Sequence, residues 1–138
     1  MNFSVKSIEQ SPALFGAKAE AISRLAVLAS ECGPDEKTSV HPAAVSLAES
    51  IVRALPDGIS LPEFSAAPDG SISLDWIESR HRLFSLSVGV NHRVAFAWLD
   101  GTNRGHGVES FDGQQIPKRV LDGITAIVKN GNPSFRPV

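Results

Sequence analysis

The sequence predicts an α+β fold: two N-terminal helices, an antiparallel meander, and a C-terminal helix packed on the sheet. Three observations carry this. Apolar residues recur at helical spacing up to Leu55, alternate with period 2 from Ser71 to Leu99, and return to helical spacing after Pro117. The chain of 138 residues suits one domain. We assign it to residues 1–131, with 132–138, which hold Pro133 and Pro137, as a loose tail.

Each element has its own signals. Ser11 can cap a first helix with Pro12 at its first position, where the missing N–H costs nothing. Ala13 to Glu31 then carries a stripe of Ile22, Leu25, Ala26 and Ala29 with Leu28 beside it, and Cys32-Gly33-Pro34 stops it. After the polar connector Asp35 to Ser39, a second helix runs from near Pro42 to Leu55, with Ala44, Leu47, Ala48, Ile51, Val52 and Leu55 on one face. Pro56-Asp57-Gly58 ends it, and the short loop between the two helices implies an antiparallel pair.

Three strands follow. Ile72, Leu74 and Trp76 form the first apolar row, Phe84, Leu86 and Val88 the second, and Val94, Phe96 and Trp98 the third. Pro68-Asp69-Gly70 opens the meander. Glu78 to Arg82, Val90-Asn91-His92 and Asp100 to Arg104 read as its connections, and Gly105 to Phe111 as a fourth strand. Ile59 to Ala66 makes a fifth if it pairs, and Pro62 then favours an edge. The last helix runs from Pro117 to about Lys129, with Val120, Leu121, Ile124, Ile127 and Val128 on one face. Gly123 in its middle costs ~1 kcal/mol against alanine. Asn130-Gly131 supplies the stop.

Composition excludes several function classes. Thirteen Lys and Arg against fifteen Asp and Glu give a net charge of −2, which disfavours a nucleic-acid binder. The single cysteine, Cys32, rules out an internal disulfide and a multi-cysteine metal site. It stands at the C-terminal end of a helix, where the dipole disfavours a thiolate, so an ordinary thiol is expected. The first residues lack a positive n-region followed by an apolar run, so no secretory leader is expected. The longest apolar stretch, Ala21 to Ala29, falls short of the ~20 residues of a membrane span. A cytoplasmic protein follows from these observations. Gly105-His106-Gly107 has two glycines of a dinucleotide fingerprint, but Ser110 stands where the third belongs. There is no P-loop, no GxSxG and no HExxH.

Leu61-Pro62-Glu63 followed by Pro68-Asp69-Gly70-Ser71-Ile72-Ser73-Leu74-Asp75-Trp76 resembles a pattern of small uncharacterised bacterial proteins. In these a helical segment precedes a proline-flanked DGSI(A/S)L(E/D)W hairpin. The resemblance spans residues 42 to 99. It implies a bacterial source and carries no activity.

Two features are candidates for function. Running the meander up and down brings Glu78, His81, Asp100 and His106 to one end of the sheet, with Arg104 beside them. Two imidazoles and two carboxylates are the side chains that bind Zn²⁺ or move protons, and Arg80, Arg82 and Arg104 are suited to an anion. A solvated rim of mixed charge explains the same residues, so no catalytic residue and no cofactor is assigned. Trp76, Phe84, Phe96 and Trp98 read as core rather than as a stacking platform. The second feature is the opposite sheet face, where Ser71, Ser73, Ser85, Ser87, Ala95 and Ala97 are small and uncharged. A solvated face usually carries Lys, Glu, Thr or Arg, so this one suits close approach by a helix of the same chain, a second copy or a partner. The leading expectation is a non-enzymatic interaction or regulatory module, working as a homodimer or on another protein. The alternative is a small-ligand binder or enzyme using Glu78, His81, Asp100, Arg104 and His106.

Overall fold

The computed structural model describes residues 12–31 and 40–130, and side chains within 17–30 and 40–128. Ser11, Cys32-Gly33-Pro34, the connector 35–39 and the tail 132–138 lie outside the described residues. The elements are helices α1 (Pro12–Glu31) and α2 (Pro42–Ala54), strands β1 (Glu63–Ala66), β2 (Ile72–Ser79), β3 (Arg82–Val88), β4 (Arg93–Asp100) and β5 (Asn103–Ser110), and helix α3 (Lys118–Asn130). The strands form one antiparallel sheet in chain order, so the fold is α+β with a five-stranded meander. Segment 59–66 does pair: β1 is the edge strand beside β2, and Pro62 stands just before it.

All three helices lie against one face of the sheet. Of the nine side chains expected there, Ile72, Leu74, Trp76, Phe84, Leu86, Val88, Val94 and Phe96 are buried and Trp98 is partly so. Helix α2 buries Ala44, Ala48, Ile51 and Val52, as its spacing predicts. Helix α1 is rotated from the expected stripe. Ala21 and Leu25 are buried while Ala26 is exposed, because an alanine-rich helix offers little contrast between neighbouring methyl groups.

The ends of α2 and α3 are tied by cations from other elements. Lys18 Nζ on α1 donates to the carbonyls of Leu55 (2.6 Å) and Arg53 (3.2 Å) at the end of α2. Arg82 on β3 does the same for Ala126 and Ile127 in the last turn of α3. Both serve carbonyls towards the negative end of the helix dipole.

Gly123 is explained by packing. A Cβ there would stand 2.5 Å from Cε2 of Phe84, so the missing side chain lets α3 approach the sheet. Phe84 is fixed in turn, edge-on to Trp76 (6.1 Å between centroids, 71°) and stacked on Phe96 (5.8 Å, 9°). Arg119 lies 5.3 Å over Phe96 and binds Glu109 at 2.6 Å, closing the row on the β5 side.

The DGSISLDW segment is accounted for residue by residue. Asp69 Oδ1 accepts from the backbone N–H (3.0 Å) and hydroxyl (2.6 Å) of Ser71, and Gly70 takes φ 91° in the turn. Ile72, Leu74 and Trp76 enter the core, and the Trp76 indole donates to the carbonyl of Ser60 at 2.7 Å. Ser73 and Asp75 point to the other face.

Candidate functional site

Directly paired residues share a face of the sheet, so the register places every candidate. The five residues expected at one end are divided. Asp100 pairs with Arg82 and Asn103 on the helix-covered side. Arg104 pairs with Leu99, and His106 with Ala97, on the opposite side. Glu78 sits at the irregularity between Ile77 and Ser79, and His81 lies in the two-residue turn that follows β2; both are exposed. The His81 carbonyl accepts from Gly101 N–H at 2.8 Å, so this turn is tied to the next one by backbone.

Asp100 is already engaged. Its Oδ1 accepts from Arg82 Nη1 at 2.6 Å, while Nη2 of that guanidinium serves the end of α3. Arg82 is therefore a clamp between sheet and helix rather than a free anion site. Asp100 and Arg104 both border a cleft of about 480 Å³ between β4, β5 and α3, with Trp98, Asn103, Asp122 and Gly123. Its second carboxylate, Asp122, binds Lys118 at 2.8 Å. Among the described residues, no three His, Cys, Asp or Glu side chains group as a metal site would require.

Shifted proton affinities lie elsewhere. Asp69 is held below the ordinary carboxylate range by the Ser71 hydroxyl and backbone N–H. Asp112 is lowered by the backbone N–H groups of Gln115 and Gln114. Lys118 is raised by its hydrogen bond to Asp122. Asp69 and Asp112 are turn residues whose carboxylates serve local N–H and hydroxyl groups.

The open face presents three cross-strand rows and, beyond the lowest of them, the exposed pair Arg93–Ser110. The upper row is Ile77, Leu83, Leu99 and Arg104; the middle row is Glu63, Asp75, Ser85, Ala97 and His106. The lower row is Ser65, Ser73, Ser87, Ala95 and Val108. Five of the six small residues expected together thus fall on adjacent positions of one face, while Ser71 lies just before β2, buried, with its hydroxyl on Asp69. Ser87, Ala95 and Ala97 are exposed; Ser73 and Ser85 are half-buried and both donate to Asp75 Oδ1, at 2.9 and 2.5 Å. None of the described helices covers this face.

Two large apolar residues complete it. Ile77 and Val108 are 54% and 56% exposed. The alternation of β2 already carried Ile77 to this side. Val108 was hidden because β5 has Gly105 and Gly107 where apolar side chains would have set its phase. Those glycines lie under the rings of Trp98 and Phe96, where a Cβ would stand 2.7 Å from ring carbons.

Comparison with protein families, with characterised proteins and with solved structures finds no match to this chain.

Proposed function

We propose that the protein is a non-enzymatic interaction module that presents the open face of its sheet to another protein surface. The observation that carries this is the exposure of Ile77 and Val108 on a face whose centre, Ser85, Ser87, Ala95 and Ala97, bears no charged side chain. Small central residues let another surface approach closely, and the exposed apolar pair gains from leaving water. The reading carries with it a cytoplasmic setting and a protein partner, since a net charge of −2 does not suit a phosphate backbone.

A second reading rests on the cleft beside α3. Its volume of about 480 Å³ and its Trp98 wall suit a small molecule, although both of its carboxylates already have partners.

Photo-crosslinking in expressing cells separates the two. A photo-reactive residue replacing Ala95 should give protein adducts, and the same residue replacing Lys118 on the outer surface of α3 should give few. Adducts at 118 and none at 95 would overturn the interaction reading.

A further inference from the structure

The geometry points to a second copy of this chain as the occupant of the open face, seated about a two-fold axis that runs along β3. This rests on the reading of that face as an interaction surface, and it adds the identity and orientation of the occupant.

Charge is the first argument. The acidic side chains of the face, Glu63 and Asp75, lie on its β1–β2 side. The β4–β5 side carries Arg93, Arg104 and the imidazole of His106. A two-fold axis along the strands lays β1 of one copy over β5 of the other, so each acidic margin meets a basic one. Glu63 then lies opposite His106, and Arg104 one side-chain pair further along the strand. A two-fold axis across the strands stacks acidic margin on acidic margin instead. Like charges brought together across an interface cost affinity, so the first orientation is selected.

The middle of the face fits the same operation. Residues on the axis meet their own copies, and β3 places Leu83, Ser85 and Ser87 there. None of them is charged, so self-contact brings no repulsion. Ile77 on β2 falls on Leu99 of the other copy, giving each exposed isoleucine an apolar cover.

Area is the third argument. Five strands about 4.8 Å apart and about seven residues long at about 3.3 Å each present roughly 550 Å² in projection. Two copies together then bury on the order of 1,100 Å², just above the ~1,000 Å² that a specific interface needs. A reversible dimer of micromolar affinity is the expected strength.

Sedimentation equilibrium of the full chain tests this with four proteins: wild type, Ala95→Arg, Glu63→Arg and Arg104→Glu. Wild type should approach twice the monomer mass as concentration rises. Ala95→Arg should stay monomeric with unchanged circular dichroism. Each charge reversal breaks both symmetry-related contacts and should weaken association roughly tenfold. An equimolar mixture of Glu63→Arg and Arg104→Glu should recover most of it, because both contacts between positions 63 and 104 in the mixed dimer are again between opposite charges. The two reversals are at exposed sites, so the test stands even if Ala95→Arg does not fold.

A wild type that remains monomeric at several hundred micromolar overturns the second-copy assignment, as does a dimer that survives Ala95→Arg, which points to pairing at the β5 edge. Weakening without recovery in the mixture overturns the axis. A monomer destabilised by Ala95→Arg shows that the chain covers its own face, and it also overturns the proposal. A monomeric wild type that still gives adducts at position 95 separates the failure of the second copy from the failure of the interaction reading, which only the loss of those adducts ends.

Discussion

Replacing Arg82 by leucine should loosen the sheet from α3 without opening a functional site. The side chain donates to Asp100 at 2.6 Å, to Ala126 at 3.3 Å and to the carbonyl of Ile127. Hydrogen bonds from a charged donor contribute ~1.5–3 kcal/mol each when well buried. Asp100 is 40% exposed, so its share is discounted towards the surface-pair range of ~0–1 kcal/mol. The two carbonyls add a helix-end contribution of ~0.3–1 kcal/mol beyond their hydrogen bonds. Against this, the buried Arg82 Nε has no partner among the described residues, and its removal relieves a cost of ~1–3 kcal/mol. The Ala126 contact is exposed and adds little, so with Ile127 as the one well-buried bond the balance is a loss of about 1.5 kcal/mol. At this chain length that corresponds to a fall of about 5 °C in Tm. Thermal and urea melts of Arg82→Leu and Arg82→Lys measure it. Lysine keeps the charge but not the fork, so it should recover at most half. Unchanged stability in Arg82→Leu would show that Arg82 is not the clamp described, and would return it to the groups free to bind an anion.

The remaining predictions concern packing and pH. Gly123→Ala would stabilise an ordinary helix by ~1 kcal/mol, but here the new methyl meets the locked ring of Phe84, and overpacking costs ~1–3 kcal/mol. A net loss of about 1 kcal/mol in urea melts is expected, and a gain would contradict the close approach of α3. Asp69 and Asp112 have folded-state proton affinities below the ordinary carboxyl value of 3.8, so the unfolded chain takes up protons first as the solution is acidified. Their contribution to stability is complete above that value and is lost as pH falls through it towards the lower folded values. Asp69→Ala and Asp112→Ala together should flatten the acid limb of stability from about pH 5 downward. An acid limb as steep as the wild type's would show that these turns do not hold charged carboxylates.

Much of the fold was legible because two periods rarely imitate each other. The rows of Ile72, Leu74 and Trp76, of Phe84, Leu86 and Val88, and of Val94, Phe96 and Trp98 sit where alternation puts them. The connections were read too long. Arg82, Asp100 and Asn103 are polar, yet they continue the ladder, because backbone pairing does not require apolar side chains. Strand β5 was legible only in outline, since the apolar surface above Gly105 and Gly107 comes from Trp98 and Phe96 on its neighbour. The cost assigned to Gly123 was the part of the pattern that marked the helix–sheet contact.

The candidate polar cluster shows what strand ends do not tell. Glu78, His81 and Asp100 do reach one end of the sheet, but side-chain parity sends Asp100 to one face and Arg104 and His106 to the other. Parity was available in the sequence once the hairpin lengths were known. The clamp by Arg82 was not, because it depends on where the last turn of α3 comes to rest. The open face was legible in its serines and alanines. Its apolar margin at Val108 was not.

The measurement that tests the account most directly is residue-resolved hydroxyl-radical labelling of wild type across its association range. Four large apolar residues are comparably exposed: Ile77 and Val108 on the open face, Val27 on α1 and Val90 in the turn after β3. As concentration rises, labelling of Ile77 and Val108 should fall while that of Val27 and Val90 stays constant. Equal labelling of all four in the associated state, or protection confined to Val27 and Val90, would contradict the claim that this protein associates through the open face of its sheet.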